Sequence, residues 1–218
     1  TRDWSSDVCS SDLFDWWEES FGKQHVSTLG CISAGLTAVS DWSPISQELR
    51  ESAKKCAQEI HSYVLRFGVV DGHLTKWIGT SAVDGSLSAL ISPLNWVKDS
   101  EIEQKTLDEI TTQLGELGTH RHVDDDYFGG GPWPILSAFL GLARSARGNY
   151  KAAIRIFDWI AHCANQDLEL PEQLPIDLLH PEKRQDWVNR WGIPAEPLLW
   201  SHAMFLLLKT EIEEFKSA

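Results

Sequence analysis

The sequence lacks any apolar run of membrane-spanning length, which excludes a transmembrane helix from these residues. Positive charge is also short, with 19 Lys and Arg against 32 Asp and Glu and a formal charge of −13 at pH 7. That balance argues against nucleic acid or an anionic membrane surface as partner and suits a neutral or cationic ligand. Cysteine is scarce. Cys31, Cys56 and Cys163 lie far apart within apolar helical patterns, so with Cys9 set aside they read as buried thiols, not as a disulfide framework or metal site. Such thiols favour a reducing compartment, the cytoplasm first, although a missing N-terminus would leave export open. The histidines are scattered, and none pairs with another and a nearby acid at metal-ligand spacing. No cofactor is implied. An internal repeat of solenoid period is absent as well.

The opening TRDWSSDVCSSDL has no helical or strand period and is mostly Ser and Asp. DWSSDVCSSDL is what one frame of a common sequencing-adapter oligonucleotide gives on translation. Residues 1–13 are therefore expected to be foreign to the natural protein, which sets them aside from fold reasoning and implies that the true N-terminus is missing. A disordered natural tail would share the composition. The stretch holds Arg2 against Asp3, Asp7 and Asp12, so residues 14–218 carry −11. They suffice for one domain with a sizeable core.

Helical patterns dominate that domain. Apolar residues at spacings of three and four predict helices over His25–Ser40, Ser46–Phe67, Glu101–Leu117, Trp133–Arg147, Tyr150–Ala164 and Pro197–Phe215, with a short one from Ser86 to about Leu90. Ser46 is placed to cap the second. The last is almost wholly apolar in its first half, which points to a central position. VVDGHLTKWIG alternates weakly and suggests a short strand pair around Asp71-Gly72. From Leu168 to Glu196 the text is rich in proline, with only a turn of helix suggested near Glu182–Val188, and long loops inside a compact domain are usually functional. The fold class is all-α: helix pairs with enlarged loops, as in an α/α toroid or an irregular bundle.

Tryptophan is what the chain has in excess, 11 in all. Indoles serve cores, but together with carboxylates in Gly- and Pro-rich loops they also hold sugars, whose C–H faces stack on the rings while hydroxyls bond to acids and amides. FDWWEES sets Asp15, Glu18 and Glu19 beside Trp16 and Trp17. A carboxyl held against indole is poorly solvated and favours its neutral form, which suits a general acid, while a solvated helix start would use the same acids. HRHVDDDYFGGGPW places Arg121 and three aspartates before Tyr127, three glycines and Trp133. Consecutive like charges repel unless something binds them, and the glycines allow close backbone approach. Its spacing is not that of a calcium loop, and binding of hydroxyls by Arg and Asp fits better. His120 and His122 read as solvated loop residues. LPEQ puts Glu172 and Gln173 in the long irregular segment, and PLLWSHA puts Trp200 at the head of the last helix; singly, each suits a surface acid or a core aromatic.

In order and spacing, DWWEES, RHVDDDYFGGGPW, LPEQ and PLLWSHA resemble the glucoamylase family, glycoside hydrolase family 15, and its prokaryotic members in particular. The similarity runs from Phe14 to about Leu208. It implies an (α/α)6 barrel and an inverting enzyme that removes glucose from α-glucan ends. By the same resemblance Glu18 matches the general acid and Glu172 the general base. Glu19, Arg121 and Asp125 match substrate-binding positions, and Trp17, Trp133 and Trp200 match aromatics lining the pocket. Asp15 matches the acid opening the motif, and Tyr127 and Gln173 join the substrate-binding set through the same motifs. Such a pair of carboxyls needs about 6.5–9.5 Å between them to leave room for water.

About seven helical segments fill only part of such a barrel, so residues 14–218 resemble the C-terminal part of a catalytic domain. An open half-toroid buries too little apolar surface to offset chain entropy, and the chain alone is expected to be poorly stable and inactive. The expected partner is an α-glucan or another α-glucoside. Enzymes of the same family acting on trehalose, isomaltose or dextran, and a non-catalytic carbohydrate-binding or regulatory relative, are the alternatives. The presence of both Glu18 and Glu172 argues for catalysis, and an all-helical scaffold would not explain DDDYFGGGPW. The sequence does not address the oligomeric state.

Overall fold

The computed structural model describes residues 13–217. All of the adapter-like opening except Leu13 thus lies outside the described residues. Helix α1 (Val26–Ser40) packs on α2 (Gln47–Phe67) as a hairpin, and Ser33 Oγ donates to the Ala57 carbonyl across the pair at 2.9 Å. Ser46 caps α2 as its sequence predicts, accepting from Leu49 N at 3.3 Å. Strands β1 (Val69–Val70) and β2 (His73–Leu74) then pair antiparallel around Asp71 and Gly72. Both turn residues have positive φ, 52° and 88°, as a primed two-residue hairpin turn requires.

Helix α3 (Leu87–Ile91) is short and wholly buried, packed against α1, α4 and α5. Helix α4 (Ser100–Leu114) starts where Asp99 accepts from Glu101 N and Ile102 N, and it stops at Gly115, short of the predicted Leu117. A 3-10 turn at Tyr127–Gly129 precedes α5 (Pro134–Ala146), which continues into α6 (Tyr150–His162). Helices α7 (Pro181–Trp191) and α8 (Leu199–Ser217) complete the chain.

The centre of the core is α5, not the last helix. Every residue from Pro134 to Ser145 is buried, and α5 packs against α3, α6 and α8. Helix α8 lays Leu208 and Ile212 into that core but leaves Leu199 81% and Leu206 57% exposed. Its apolar composition led the sequence reading to a central place. Among the described residues, though, its main helical neighbours are α5 and α6, and an apolar surface is buried only where a neighbour covers it. No helix among the described residues is long and apolar enough to cross a membrane.

Candidate active site

DWWEES forms a turn instead of a helix start. Asp15 organises it from inside: 7% exposed, it accepts from Trp17 N at 3.1 Å and Glu19 N at 2.7 Å through Oδ1, while its carbonyl takes Glu18 N at 3.2 Å. These tethers force Glu18 to φ 59°, a left-handed conformation costly for a non-glycine residue and common at functional sites. The Glu18 side chain is exposed, so it is not buried against indole as the sequence suggested, because the tethered turn faces it outward. Trp17 is part-buried, and its indole donates to Asp84 Oδ2 at 3.0 Å.

Arg121 is the hub. It is 3% exposed and makes a two-pronged contact with the fully buried Asp125, Nε to Oδ2 at 3.0 Å and Nη2 to Oδ1 at 2.5 Å. Its Nη1 donates to Glu19 Oε1 at 3.1 Å. The guanidinium also lies 5.3, 5.0 and 5.5 Å from the ring centroids of Trp17, Tyr127 and Trp133, where ring quadrupoles favour a cation. Burial works against the Arg121 charge, but Asp125 and then Glu19 outweigh it and hold its pKa above the ordinary value. Burial likewise pushes the Glu19 carboxyl up, while His122 and Arg121 pull it further down, to a net position below its ordinary value. His122 Nε2 lies 3.6 Å from Glu19 Oε2.

The three aspartates do not act together. Asp125 turns inward, while Asp124 and Asp126 are exposed and need no common ligand. His120 is buried, not solvated: its Nδ1–H donates to the Gly130 carbonyl at 2.8 Å. The glycines answer to close backbone approach. A Cβ on Gly130 (φ +71°) would meet the Asp125 carbonyl oxygen at 2.0 Å, and one on Gly131 would meet that of Leu174 at 1.9 Å.

That second approach carries the LPEQ segment to the site. Leu174 N donates to the Pro132 carbonyl at 2.9 Å and Gln173 Nε2 to that of Gly131 at 3.0 Å. On the other side Ser201 Oγ donates to the Pro171 carbonyl at 3.0 Å, and His202 Nε2 accepts from Leu170 N at 2.9 Å. Glu172, half-buried between these anchors, exchanges backbone and side-chain bonds with Ala195. Burial, followed by the negative charge of Glu172, pushes the Tyr127 phenol above its ordinary value, so Tyr127 keeps its proton and can donate to that carboxylate.

Contacts thus join Trp17, Glu19, Arg121, Asp125, Tyr127, Trp133 and Glu172, with Asp15 and Gln173 buried directly behind them. Trp17 and Trp133 stand 5.4 Å apart, Tyr127 and Trp133 5.9 Å. Trp200 belongs instead to a second aromatic group with Trp16 and Phe139, at 6.1 Å from each. The sequence reading missed three members. Lys76 and Asp84 are buried together, Nζ to Oδ2 at 3.5 Å, beneath Trp17, and Trp187 on α7 packs 4.9 Å from Tyr127. Among the described residues no cluster of His, Cys, Asp and Glu could hold a metal ion.

No family model matches the chain. It is 46% identical over 202 residues to the isomaltose glucohydrolase of Kribbella flavida, covering 91% of this chain and 52% of that protein. A wild-type glycosidase of known structure superposes with a TM-score of 0.90 at 45% identity, over 93% of this chain and 56% of that one. A glutamate-to-alanine glycosidase variant in complex with glucose gives 0.88 at 45% identity, over 92% and 55%. A bacterial glucoamylase complexed with acarbose, 19% identical, shares the fold with a TM-score of 0.71 over 89% of this chain and 34% of that one. The chain spans about half the length of the curated relative it matches at 46% identity. Its helices share the fold of part of the (α/α)6 barrel of glucoamylases, and over nearly all of its length the chain is similar in sequence to the isomaltose glucohydrolase and to the glycosidases of known structure.

Proposed function

We propose that the parent protein is an inverting, exo-acting α-glucosidase that releases terminal glucose from α-linked oligosaccharides. Glu18 serves as general acid and Glu172 as general base. The observation that carries this reading is the joining of Glu19, Arg121 and Asp125 to three aromatic rings beside Glu172. Charged hydrogen-bonding groups fixed at the edge of ring faces are what a sugar needs, hydroxyls on the polar side and C–H faces on the rings. The name of the Kribbella relative makes isomaltose the first substrate to try.

In the proposed reaction the exposed Glu18 carboxyl gives its proton to the glycosidic oxygen as the C–O bond breaks. Glu172 takes a proton from water, which attacks the anomeric carbon from the opposite face and inverts it. The Arg121 charge is neutralised by Asp125 and Glu19, so the rings around it favour the positive charge that develops on the sugar without a bare cation opposing it. Replacing Glu18 or Glu172 by Gln is expected to cut kcat by roughly 10²–10⁴-fold. Variants with undiminished turnover would refute the assignment.

The chain on its own is proposed to be inactive and poorly stable, since Trp191, Ile193, Leu199 and Leu206 stay exposed without further helices. Denaturation of the isolated 218-residue chain tests this, and a cooperative transition with glucose release would contradict it. Residues 1–13 are proposed to derive from adapter sequence, which resequencing across the Leu13 and Phe14 codons decides. The cytoplasm is proposed as the compartment, supported by Cys31, Cys56 and Cys163 all being free thiols.

A further inference from the structure

We infer that Lys76 and Asp84 are positioning residues for the acid-bearing turn, an inference that rests on Glu18 being the proton donor. Lys76 Nζ lies 3.5 Å from Asp84 Oδ2 and 4.0 Å from Asp15 Oδ2, and none of the three side chains exceeds 5% exposure. A lysine so enclosed keeps its charge only by being paired, and here one ammonium serves two carboxylates.

Each carboxylate in turn fixes a different part of DWWEES. Asp84 is itself held by Ser86, whose N and Oγ donate to Oδ1 at 2.9 and 2.6 Å. That leaves Oδ2 to receive the Trp17 indole at 3.0 Å. Asp15 binds the backbone N–H groups of Trp17 and Glu19 through Oδ1, while its Oδ2 has no hydrogen-bond partner among the described residues and faces the ammonium. The residues on both sides of Glu18 are therefore tethered to carboxylates whose charge Lys76 balances. The ring of Trp17 also meets Arg121 and Trp133, so the same cluster positions one of the rings of the proposed sugar site. Neither Lys76 nor Asp84 belongs to the motifs that marked the site in the sequence.

Asp84→Asn tests this in the longest reading frame that carries the chain. The substitution keeps the shape but turns one acceptor into a donor, so either Ser86 or the Trp17 indole must face an N–H group. The expected result is a fall in kcat of about tenfold or more, the scale of one hydrogen bond to a buried charge. The indole N–H resonance of Trp17, identified by its loss in Trp17→Phe, is expected to shift. In a Trp17→Phe background the same substitution should cost about twofold at most, because no indole donor remains to be misplaced. Equal losses in both backgrounds would overturn the inference, as would a lowered Tm with kcat and the indole resonance unmoved. Where Asp84→Asn does not fold, Ser86→Ala loosens the same carboxylate, with a smaller loss expected in the same direction and no change counting against the proposal. Glu18→Gln and Glu172→Gln are measured alongside. If both stay active, the reading of the site fails; if both are inactive and Asp84→Asn is neutral, only the present inference fails.

Discussion

Arg121→Met removes the cation from the centre of the site and leaves a shape of similar length. Asp125 is fully buried and would lose both of its guanidinium contacts, keeping only the Tyr127 backbone N–H at 3.0 Å. Stripping one partner from a buried pair costs about 3–5 kcal/mol, because the remaining charge stays desolvated. The Glu19 contact adds little, since that side chain is 41% exposed and water replaces the lost donor. A loss of about 3–5 kcal/mol is roughly a fifth or more of the stability of an ordinary domain. Urea denaturation of the full-length protein reads it as a lowered midpoint with unchanged slope. Adding Asp125→Asn to Arg121→Met removes the stranded charge and should restore about 1–3 kcal/mol. Arg121→Met costing under about 1 kcal/mol would refute the reasoning, for it would mean that Asp125 is solvated despite its burial.

The depressed pKa of Glu19 makes its pairing a source of stability above the unfolded value of about 4.3, lost as pH falls through the lower folded value. The stability gap between the wild type and Glu19→Gln should therefore shrink with acidification below about pH 5, and a gap constant from pH 7 to pH 3 would contradict this. Burial pushes the thiol of Cys31 up to about 11 and that of Cys163 up to about 12. At pH 8 only about one in a thousand or fewer is thiolate, so iodoacetamide should label both much more slowly in the native protein than after denaturation. Gly131→Ala brings a methyl into the Leu174 carbonyl and should displace the Glu172 segment, with kcat falling more steeply than the roughly 1–3 kcal/mol of stability such overpacking costs.

Legibility followed burial. Helices α2 and α6 could be read because one face of each is buried at helical spacing, Ala53, Ala57, Ile60 and Val64 in one and Ala152, Ala153, Ile156 and Ile160 in the other. Helix α7 buries no residue, so it writes no apolar period. What marks it instead is local: Pro181 at its start, Arg190 in its last turn and Gly192 after it. Hydrophobicity told that α8 seeks neighbours but not how many it has. At the site, acids, indoles and glycines crowded into short motifs could be seen, and Asp125 stood among them. Lys76 could not, because a buried charge is explained only by partners that folding brings from Asp15 and Asp84. His120 went wrong for the same reason, its acceptor being the carbonyl of Gly130.

Inversion by a pair of carboxyls is tested most directly by proton NMR of the glucose first released by the full-length protein from methyl isomaltoside, whose blocked reducing end adds no anomeric mixture of its own. β-Glucose is expected to appear first and α-glucose only later by mutarotation, with Glu18→Gln and Glu172→Gln both slowing its release by roughly 10²–10⁴-fold. Initial release of α-glucose would contradict it, for retention requires a covalent intermediate and carboxyl groups only about 5–5.5 Å apart.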